Sequence, residues 1–301
     1  MNPTLVILAA GMGSRYGSLK QIDAVGPAGE VLMDYSIYDA VRAGFDRVIF
    51  IIRKSIEKEF KEVFISRLKN KVGVDYVFQI LEDVPGGISI PEGRTKPWGT
   101  AHSVLAAEAK VKGPFAVINA DDFYGSRSFK AMANFLTRMD SRGMVYSLMG
   151  FELKNTLSEH GAVARAVCTI GKSGRLTGIV ERLHVEQTPE GIFYEDEKRR
   201  PIRLNGSEIV SMNLWGFTAS VFKYLKAEFE LFIRENYRNT NAELYIPLVI
   251  DKIVKSGRAE VRVLRSPEKW FGITYKEERR RVTQELRKLI RKGVYPEKLW
   301  E

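Results

Sequence analysis

The sequence predicts an α/β protein: a three-layer αβα sandwich around a mixed, mostly parallel central sheet, with a β-rich portion added in the second half. Residues 5–10 and 47–52 are near-continuous apolar runs, as expected of strands covered on both faces. Between such runs lie segments whose apolar residues recur at helical spacing, and strand alternating with helix points to a parallel sheet. Beyond Gly161 the texture changes to short apolar or alternating segments separated by charged, turn-rich pieces, which read as further strands.

The first run breaks abruptly into a Gly-rich turn, Gly11-Met12-Gly13-Ser14-Arg15-Tyr16-Gly17, with Lys20 close behind. Residues 31–45 read as a helix closing on Gly44, a residue suited to a left-handed C-cap. Residues 47–52 form a second strand, 56–68 a helix with Ser55 as its N-cap, and 74–80 a third strand. Residues 82–98, rich in glycine and proline, read as a long loop of the kind that is more often functional than idle. The loop runs into Lys96-Pro97-Trp98-Gly99-Thr100-Ala101-His102 and an Ala-rich helix over 101–109. A fourth strand, 115–120, ends in Asp121-Asp122; a helix over 127–139 and a strand over 144–151 follow.

In the second half, 162–170, 176–181 and 209–218 are strands, and 186–201 is a charged, turn-rich piece between them. Residues 220–236 and 242–256 are helices and 259–264 is a short strand. The basic stretch 276–298 reads as an amphipathic helix with a solvated face.

Composition narrows the function. One cysteine, Cys168, in 301 residues excludes an internal disulfide and a thiolate metal cluster and suggests a reducing compartment. Three histidines offer no basis for zinc. The N-terminal apolar run is too short for a signal core or a membrane span, so the expectation is a soluble cytoplasmic protein with no membrane partner. The net charge of +10 is spread out and accompanied by no nucleic-acid-binding module, which favours an acidic small substrate over nucleic acid. The composition also leaves room for a homo-oligomer.

In open parallel sheets ligands bind beyond the carboxyl ends of the strands, and the 11–20 turn, the 82–102 loop and Asp121-Asp122 are all placed there. Glycine amides in a turn can cradle an anion. Arg15 adds a planar fork and Lys20 a point charge, which together suit a triphosphate or pyrophosphate. The register is neither Gly-x-Gly-x-x-Gly, which argues against a nicotinamide dinucleotide, nor a P-loop, because no Gly-Lys-Ser/Thr follows. Two carboxylates ending a buried strand require cations or a metal, or else cap the following helix.

In this order the motifs resemble the sugar-1-phosphate nucleotidyltransferases, particularly the hexose-1-phosphate uridylyl- and thymidylyltransferases. Leu8-Ala9-Ala10-Gly11-Met12-Gly13-Ser14-Arg15 matches that family's opening signature, and Lys20-Gln21 looks like its lysine step. Gly99-Thr100-Ala101 is similar to its nucleobase motif, and Asn119-Ala120-Asp121-Asp122 to its magnesium motif. Gly161, Glu181-Arg182 and Ser211-Met212-Asn213 look like its sugar-side loops.

The resemblance implies a Rossmann-like nucleotidyltransferase fold over residues 1–275. Residues 1–150 would be the nucleotide-binding half, 151–275 the sugar-phosphate half, and 276–301 a basic helical extension. It implies transfer of a nucleotidyl group from a nucleoside triphosphate to a sugar 1-phosphate. Arg15 and Lys20 would be catalytic, and Leu8, Ala9, Ala10, Gly11, Gly13, Gln79, Gly99 and Thr100 would bind the nucleotide. Gly161, Glu181, Arg182 and Asn213 would bind the sugar phosphate, and Asp121 would hold Mg²⁺. Gln79 resembles the glutamine that pairs with uracil or thymine, which favours UTP or dTTP.

One position departs from the pattern. Where the family shows Trp-x-Asp-x-Gly, whose aspartate is a second magnesium ligand, this chain reads Trp270-Phe271-Gly272-Ile273-Thr274. A non-catalytic domain that binds an NDP-sugar is therefore a second reading, and a cytidylyltransferase acting on an alcohol phosphate is a third.

Overall fold

The computed structural model describes residues 1–11, 24–88, 90–140, 143–196, 198–273, 275 and 277–300. Its first half alternates strand and helix: β1 (Thr4–Leu8), α1 (Leu32–Ala43) and β2 (Arg47–Ile52). α1 stops at Gly44, whose φ of 102° supplies the expected left-handed C-cap. The next helical stretch is composite, with a 3₁₀ turn over Lys54–Ile56, α2 (Glu57–Phe60), a π turn over Lys61–Ile65 and α3 (Ser66–Leu68). Ser55 therefore lies inside the first turn, and Arg53 takes the cap position without a side-chain bond. The wider π turn accompanies the joint packing of Phe60 and Phe64 on Phe50, at ring distances of 4.9 and 6.3 Å.

β3 (Gly73–Phe78), α4 (Thr100–Leu105), β4 (Phe115–Asn119), β5 (Asp122–Phe123) and α5 (Ser126–Leu136) follow. The second half contributes β6 (Val145–Glu152), β7 (Val163–Ile170), β8 (Leu176–Thr188), β9 (Gly191–Glu195), β10 (Pro201–Leu204) and β11 (Ile209–Phe217). α6 (Val221–Asn236), α7 (Ile246–Lys255), β12 (Glu260–Arg265), β13 (Phe271–Gly272) and α8 (Glu278–Arg291) complete the chain. The piece over 186–201 is thus an antiparallel arm in which β8, β9 and β10 pair in sequence. The described residues of 186–204 are half-buried or exposed, and the short run Ile192-Phe193-Tyr194 does not mark the pairing.

The main sheet runs β10-β9-β8-β7-β11-β4-β1-β2-β3, with β6 on β11 and β12 on β6. The block β4-β1-β2-β3 is parallel, while β11 enters antiparallel to β4. Leu8 is in register with both Ile51 and Asn119, so the turns after β1 and β4 open at one level.

The two faces of β1 explain the layers. Leu5 and Ile7 pack with Met33 and Ile37 of α1 and Phe129 of α5, whereas Val6 packs with Val104 of α4, Phe229 of α6 and Val249 of α7. A third apolar cluster joins Val282 and Leu286 of α8 to Tyr35, Phe123, Phe271, Tyr295 and Leu299. The buried stripe of α8 therefore covers the β5–β13 ribbon, where Phe123 and Phe271 stack at 4.2 Å. No helix among the described residues is long and apolar enough to cross a membrane.

Candidate active site

The turns beyond β1, β3 and β4 meet β7, β8 and β11 around one cleft of about 650 Å³. Leu8, Ala10 and Gly11 line it from β1, Gln79 from β3, Gly99 and Thr100 from the start of α4, and Asp121 from the end of β4. Glu181 of β8 and Asn213 of β11 line it from the other half. Nine of the residues expected at the site therefore share one wall system.

The other expected residues divide into two groups. Ala9 is buried in the core, where its N–H continues the sheet to the Ile51 carbonyl at 2.9 Å. Gly161 lies beside Tyr275, and Arg182 lies over the Tyr194 ring at 4.5 Å; neither contributes to the cleft wall, although Glu181 and Leu183 on either side of Arg182 do. Gly13, Arg15 and Lys20 lie outside the described residues.

Gly99 has a structural requirement for glycine. Its φ is +96°, and a Cβ there would come 2.5 Å from the Leu244 carbonyl oxygen. The close approach is a backbone splice: Leu244 N–H donates to Trp98 O at 2.8 Å, and Ala101 N–H donates to Leu244 O at 3.0 Å. Thr100 Oγ1 accepts from Ile246 N–H at 3.0 Å. The splice delivers Glu243 and Tyr245 to the cleft, with the Tyr245 hydroxyl donating to Glu243 Oε2 at 2.7 Å and Lys96 paired to the same oxygen. Both residues escaped the sequence reading, because a helix was expected to start at 242 and nothing in the local pattern marks them.

At the centre, the Asp121 carbonyl accepts from Ile273 N–H at 3.2 Å. Asp122 is buried, and its Oδ2 accepts from Asn119 Nδ2 at 2.8 Å and from the Tyr124 hydroxyl at 3.1 Å. Burial, aided by the charge of Asp121, pushes the Asp122 carboxyl above its ordinary range, as expected for a desolvated carboxylate beside a like charge. Gly125, not either aspartate, holds the N-cap position of α5.

Asn213 sits at φ +61° within an irregularity of the β11–β6 pairing. That conformation is uncommon outside glycine but more accessible to asparagine. Its side chain is fixed on both sides, accepting from Trp215 Nε1 at 3.2 Å and reaching Asn119 Oδ1 at 3.4 Å.

A cation not expected from the sequence lines the acceptor-side wall. Arg165 is 8% exposed, donates to the carbonyls of Thr156 and Ala164, and lies 5.0 Å from the Trp270 ring. Burial lowers its pKa to about 10, while Asp122, Glu181 and Glu278 oppose that shift. Burial conversely raises Glu181, with Arg165 opposing. An arginine inside the apolar strand pattern of 162–170 was the available signal for this residue.

The arrangement brings the backbone at Gly11, the Gln79 amide and the Asp121 carboxylate, at the ends of the parallel strands, to face Arg165, Glu181 and Asn213 of β7, β8 and β11. The nucleotidyl transferase family profile matches residues 4–273, while the comparison with curated proteins finds no match.

Among solved structures the chain is similar to an inositol-1-phosphate CTP transferase from T. maritima, with a TM-score of 0.60 and 14% identity over 95% of this chain and 96% of that one. It is similar to a UDP-glucose pyrophosphorylase complexed with UDP-glucose, with a TM-score of 0.60 and 16% identity over 96% and 99% of the two chains. A third similar structure is assigned as a glucose-1-phosphate thymidylyltransferase from Bacillus anthracis, in complex with a sucrose, with a TM-score of 0.59 and 16% identity over 94% and 95%. At these identities the structures speak for the fold: a Rossmann-like mixed sheet with mostly parallel central strands flanked by helices. With the profile covering nearly all of that sheet and the cleft built on it, the chain belongs to the nucleotidyl transferase family.

Proposed function

We propose that this protein transfers a nucleotidyl group from a nucleoside triphosphate, preferentially UTP or dTTP, to a sugar 1-phosphate, releasing pyrophosphate and an NDP-sugar. The observation that carries the proposal is the order of groups along the sheet. Gln79 after β3 and Gly11 after β1 lie on one side of Asp121 after β4, and Asn213 of β11 and Glu181 of β8 lie on the other. A donor nucleotide and an acceptor sugar thus meet with their phosphates near the strand-end carboxylates.

A phosphate oxygen of the acceptor attacks the α-phosphorus in line. A new P–O bond forms as the bond to the β-phosphate oxygen breaks and pyrophosphate departs with that electron pair. The nucleophile is already anionic, so the protein needs to align the reactants and neutralise charge rather than remove a proton. From sequence, Arg15 holds the leaving phosphates and Lys20 the transferring group. In the cleft Glu181 accepts bonds from sugar hydroxyls, Asn213 orients the acceptor, and Tyr245 with Glu243 offers a second polar wall.

The carboxylates fit magnesium, which takes oxygen ligands and commonly needs only one or two from protein when phosphates supply others. Asp121 would hold it, with Asp122 behind. Magnesium, when bound, supplies positive charge to the triphosphate oxygens.

The test is a matrix of UTP, dTTP, CTP, ATP and GTP against several sugar 1-phosphates and alcohol phosphates with Mg²⁺, read by pyrophosphate release. UTP or dTTP with a hexose 1-phosphate is the expected productive pair. Turnover confined to CTP and an alcohol phosphate overturns the substrate assignment. Binding without any pyrophosphate release supports the non-catalytic reading that Gly272 motivates.

A further inference from the structure

The expected base-recognition residue, Gln79, does not stand alone. Its Nε2 lies 3.4 Å from the Gly99 carbonyl oxygen and 3.3 Å from His102 Nδ1. His102 Nε2 lies 3.1 Å from the Asp83 carbonyl oxygen. The ring is buried and stacked on Phe229 of α6, with centroids 4.6 Å apart and planes 21° apart. Ring position and ring plane are therefore fixed by elements outside the cleft.

These contacts determine the hydrogens. A backbone carbonyl only accepts, so His102 Nε2 must carry a proton to bond Asp83. Burial lowers the His102 pKa, which favours the neutral ring with a single N–H. Nδ1 is then a bare acceptor, and the atom facing it must be a donor. The Gly99 carbonyl makes the same demand independently. Both neighbours thus require the amide nitrogen of Gln79 on the protein side.

We infer that His102 is a positioning residue that locks the Gln79 amide, so that Gln79 presents only its oxygen to the base. The inference rests on the proposed binding of a nucleoside triphosphate in this cleft, and deepens it. With both N–H groups of Gln79 directed at Gly99 and His102, the residue offers one acceptor to the nucleotide rather than a donor–acceptor pair. That oxygen selects a base edge carrying a proton, such as N3–H of uracil or thymine. Recognition of O4 must then come from another group.

Two measurements test this. The first needs no nucleotide: in ¹⁵N-histidine-labelled protein, two-bond correlation spectra at pH 7.5 report which nitrogen of each ring is protonated, and the signals missing from His102→Asn assign His102. A proton on Nε2 with a bare Nδ1 is expected; a proton on Nδ1 overturns the inference, whatever the protein binds. The second compares calorimetric binding of UTP and N3-methyl-UTP. Wild-type protein should bind the methylated nucleotide at least about tenfold more weakly, the scale of one ordinary hydrogen bond.

His102→Phe keeps a ring to stack on Phe229 but no acceptor. Its preference for UTP over N3-methyl-UTP should shrink to below about threefold as the amide becomes free to turn, whereas His102→Asn, which can return an acceptor near the Nδ1 position, should keep most of it. An unchanged preference in a folded His102→Phe overturns the inference. Should His102→Phe fail to fold, the tautomer and the wild-type preference still decide. Wild-type protein that binds no UTP while showing the expected tautomer refutes the nucleotide reading, not the locked amide.

Discussion

Gly272 faces Asp122 across the β5–β13 pairing, and a Cβ placed on Gly272 would come 2.7 Å from Asp122 Oδ1 and 2.9 Å from the Trp270 ring. The buried carboxylate of Asp122 thus occupies the space from which a side chain at 272 would project. An aspartate at 272 and the present Asp122 conformer are mutually exclusive, which gives a steric reason for the departure in the Trp270–Thr274 stretch. Gly272→Ala should destabilise the protein by about 1–3 kcal/mol, as overpacking of a filled site does. Asp122→Ala in the same chain should recover part of the loss, because it removes the nearest obstacle. Thermal melts of the two single variants and the double variant give the coupling; strictly additive effects would refute the steric conflict.

Gly99→Ala should be more damaging to function than to the fold as a whole. The substitution is strained at φ +96° and also drives a Cβ into the Leu244 backbone, so the splice holding Gly99, Thr100, Glu243 and Tyr245 together must open. Nucleotide affinity should fall at least about tenfold, with a stability loss on the order of 1–3 kcal/mol. Calorimetry and melting measure the two effects separately, and retention of nucleotide affinity would show that the splice does not shape the site.

How much of this was legible in the sequence follows from which residues bury apolar surface. Leu5 to Ala10 and residues 47–52 must be covered on both faces, so their apolar runs announced the parallel block and, with it, the level at which Gly11, Gln79 and Asp121 sit. The first part of β8 was legible at 176–181, but the outer arm over 186–204 was hidden because its described residues are half-buried or exposed, and the three apolar residues Ile192-Phe193-Tyr194 stand among charged, turn-forming neighbours. Glu243 and Tyr245 were hidden for another reason: they reach the cleft through a backbone splice to Trp98 and Ala101, a long-range contact that local spacing cannot encode. The locking of Gln79 by His102 depends likewise on Asp83 and Phe229, residues brought together only by the fold.

The C-terminal segment should make stability depend on pH in a defined direction. Tyr295 donates to Asp39 Oδ2 at 2.6 Å, and Asp39 is 1% exposed. Burial raises Asp39 to about 7 from its ordinary 3.8, with the Tyr295 bond and Arg42 opposing and Glu268 reinforcing the shift. A carboxyl raised on folding holds its proton in the native state after the unfolded chain has lost it. Its stabilising contribution is complete below about pH 4 and is lost as pH climbs to about 7. Asp39→Asn should therefore gain stability relative to wild type between pH 4.5 and 8, on the order of 1–3 kcal/mol. A difference between the two melting profiles that is flat in pH would refute this.

Arg15→Ala and Lys20→Ala should each lower kcat/KM by about 10²–10³, the range seen when a charge-stabilising donor is removed. Arg15→Lys should recover less than Lys20→Arg, since a point charge cannot reproduce the two-pronged contact of a guanidinium. Unchanged turnover in Arg15→Ala would remove Arg15 from the proposed clamp.

On the acceptor side, neighbouring residues of β8 should behave differently. Glu181 lines the cleft and is held beside the buried charge of Arg165, whereas Arg182 rests over Tyr194 outside the cleft wall. Replacing Glu181 by Gln keeps shape and one acceptor but loses the charge, which matters for hydrogen bonds to sugar hydroxyls because bonds to a charged acceptor are about twice as strong as neutral ones. Glu181→Gln should raise the acceptor KM about tenfold with the nucleotide KM unchanged. Arg182→Ala should leave both within about threefold, because a half-buried cation resting on an aromatic ring away from the cleft contributes roughly 0.5–1 kcal/mol to local packing. Steady-state kinetics with each substrate varied in turn separates the two. A large acceptor KM effect in Arg182→Ala would mean that the β8–β10 arm reorients when the sugar phosphate binds, bringing the guanidinium from Tyr194 into the cleft.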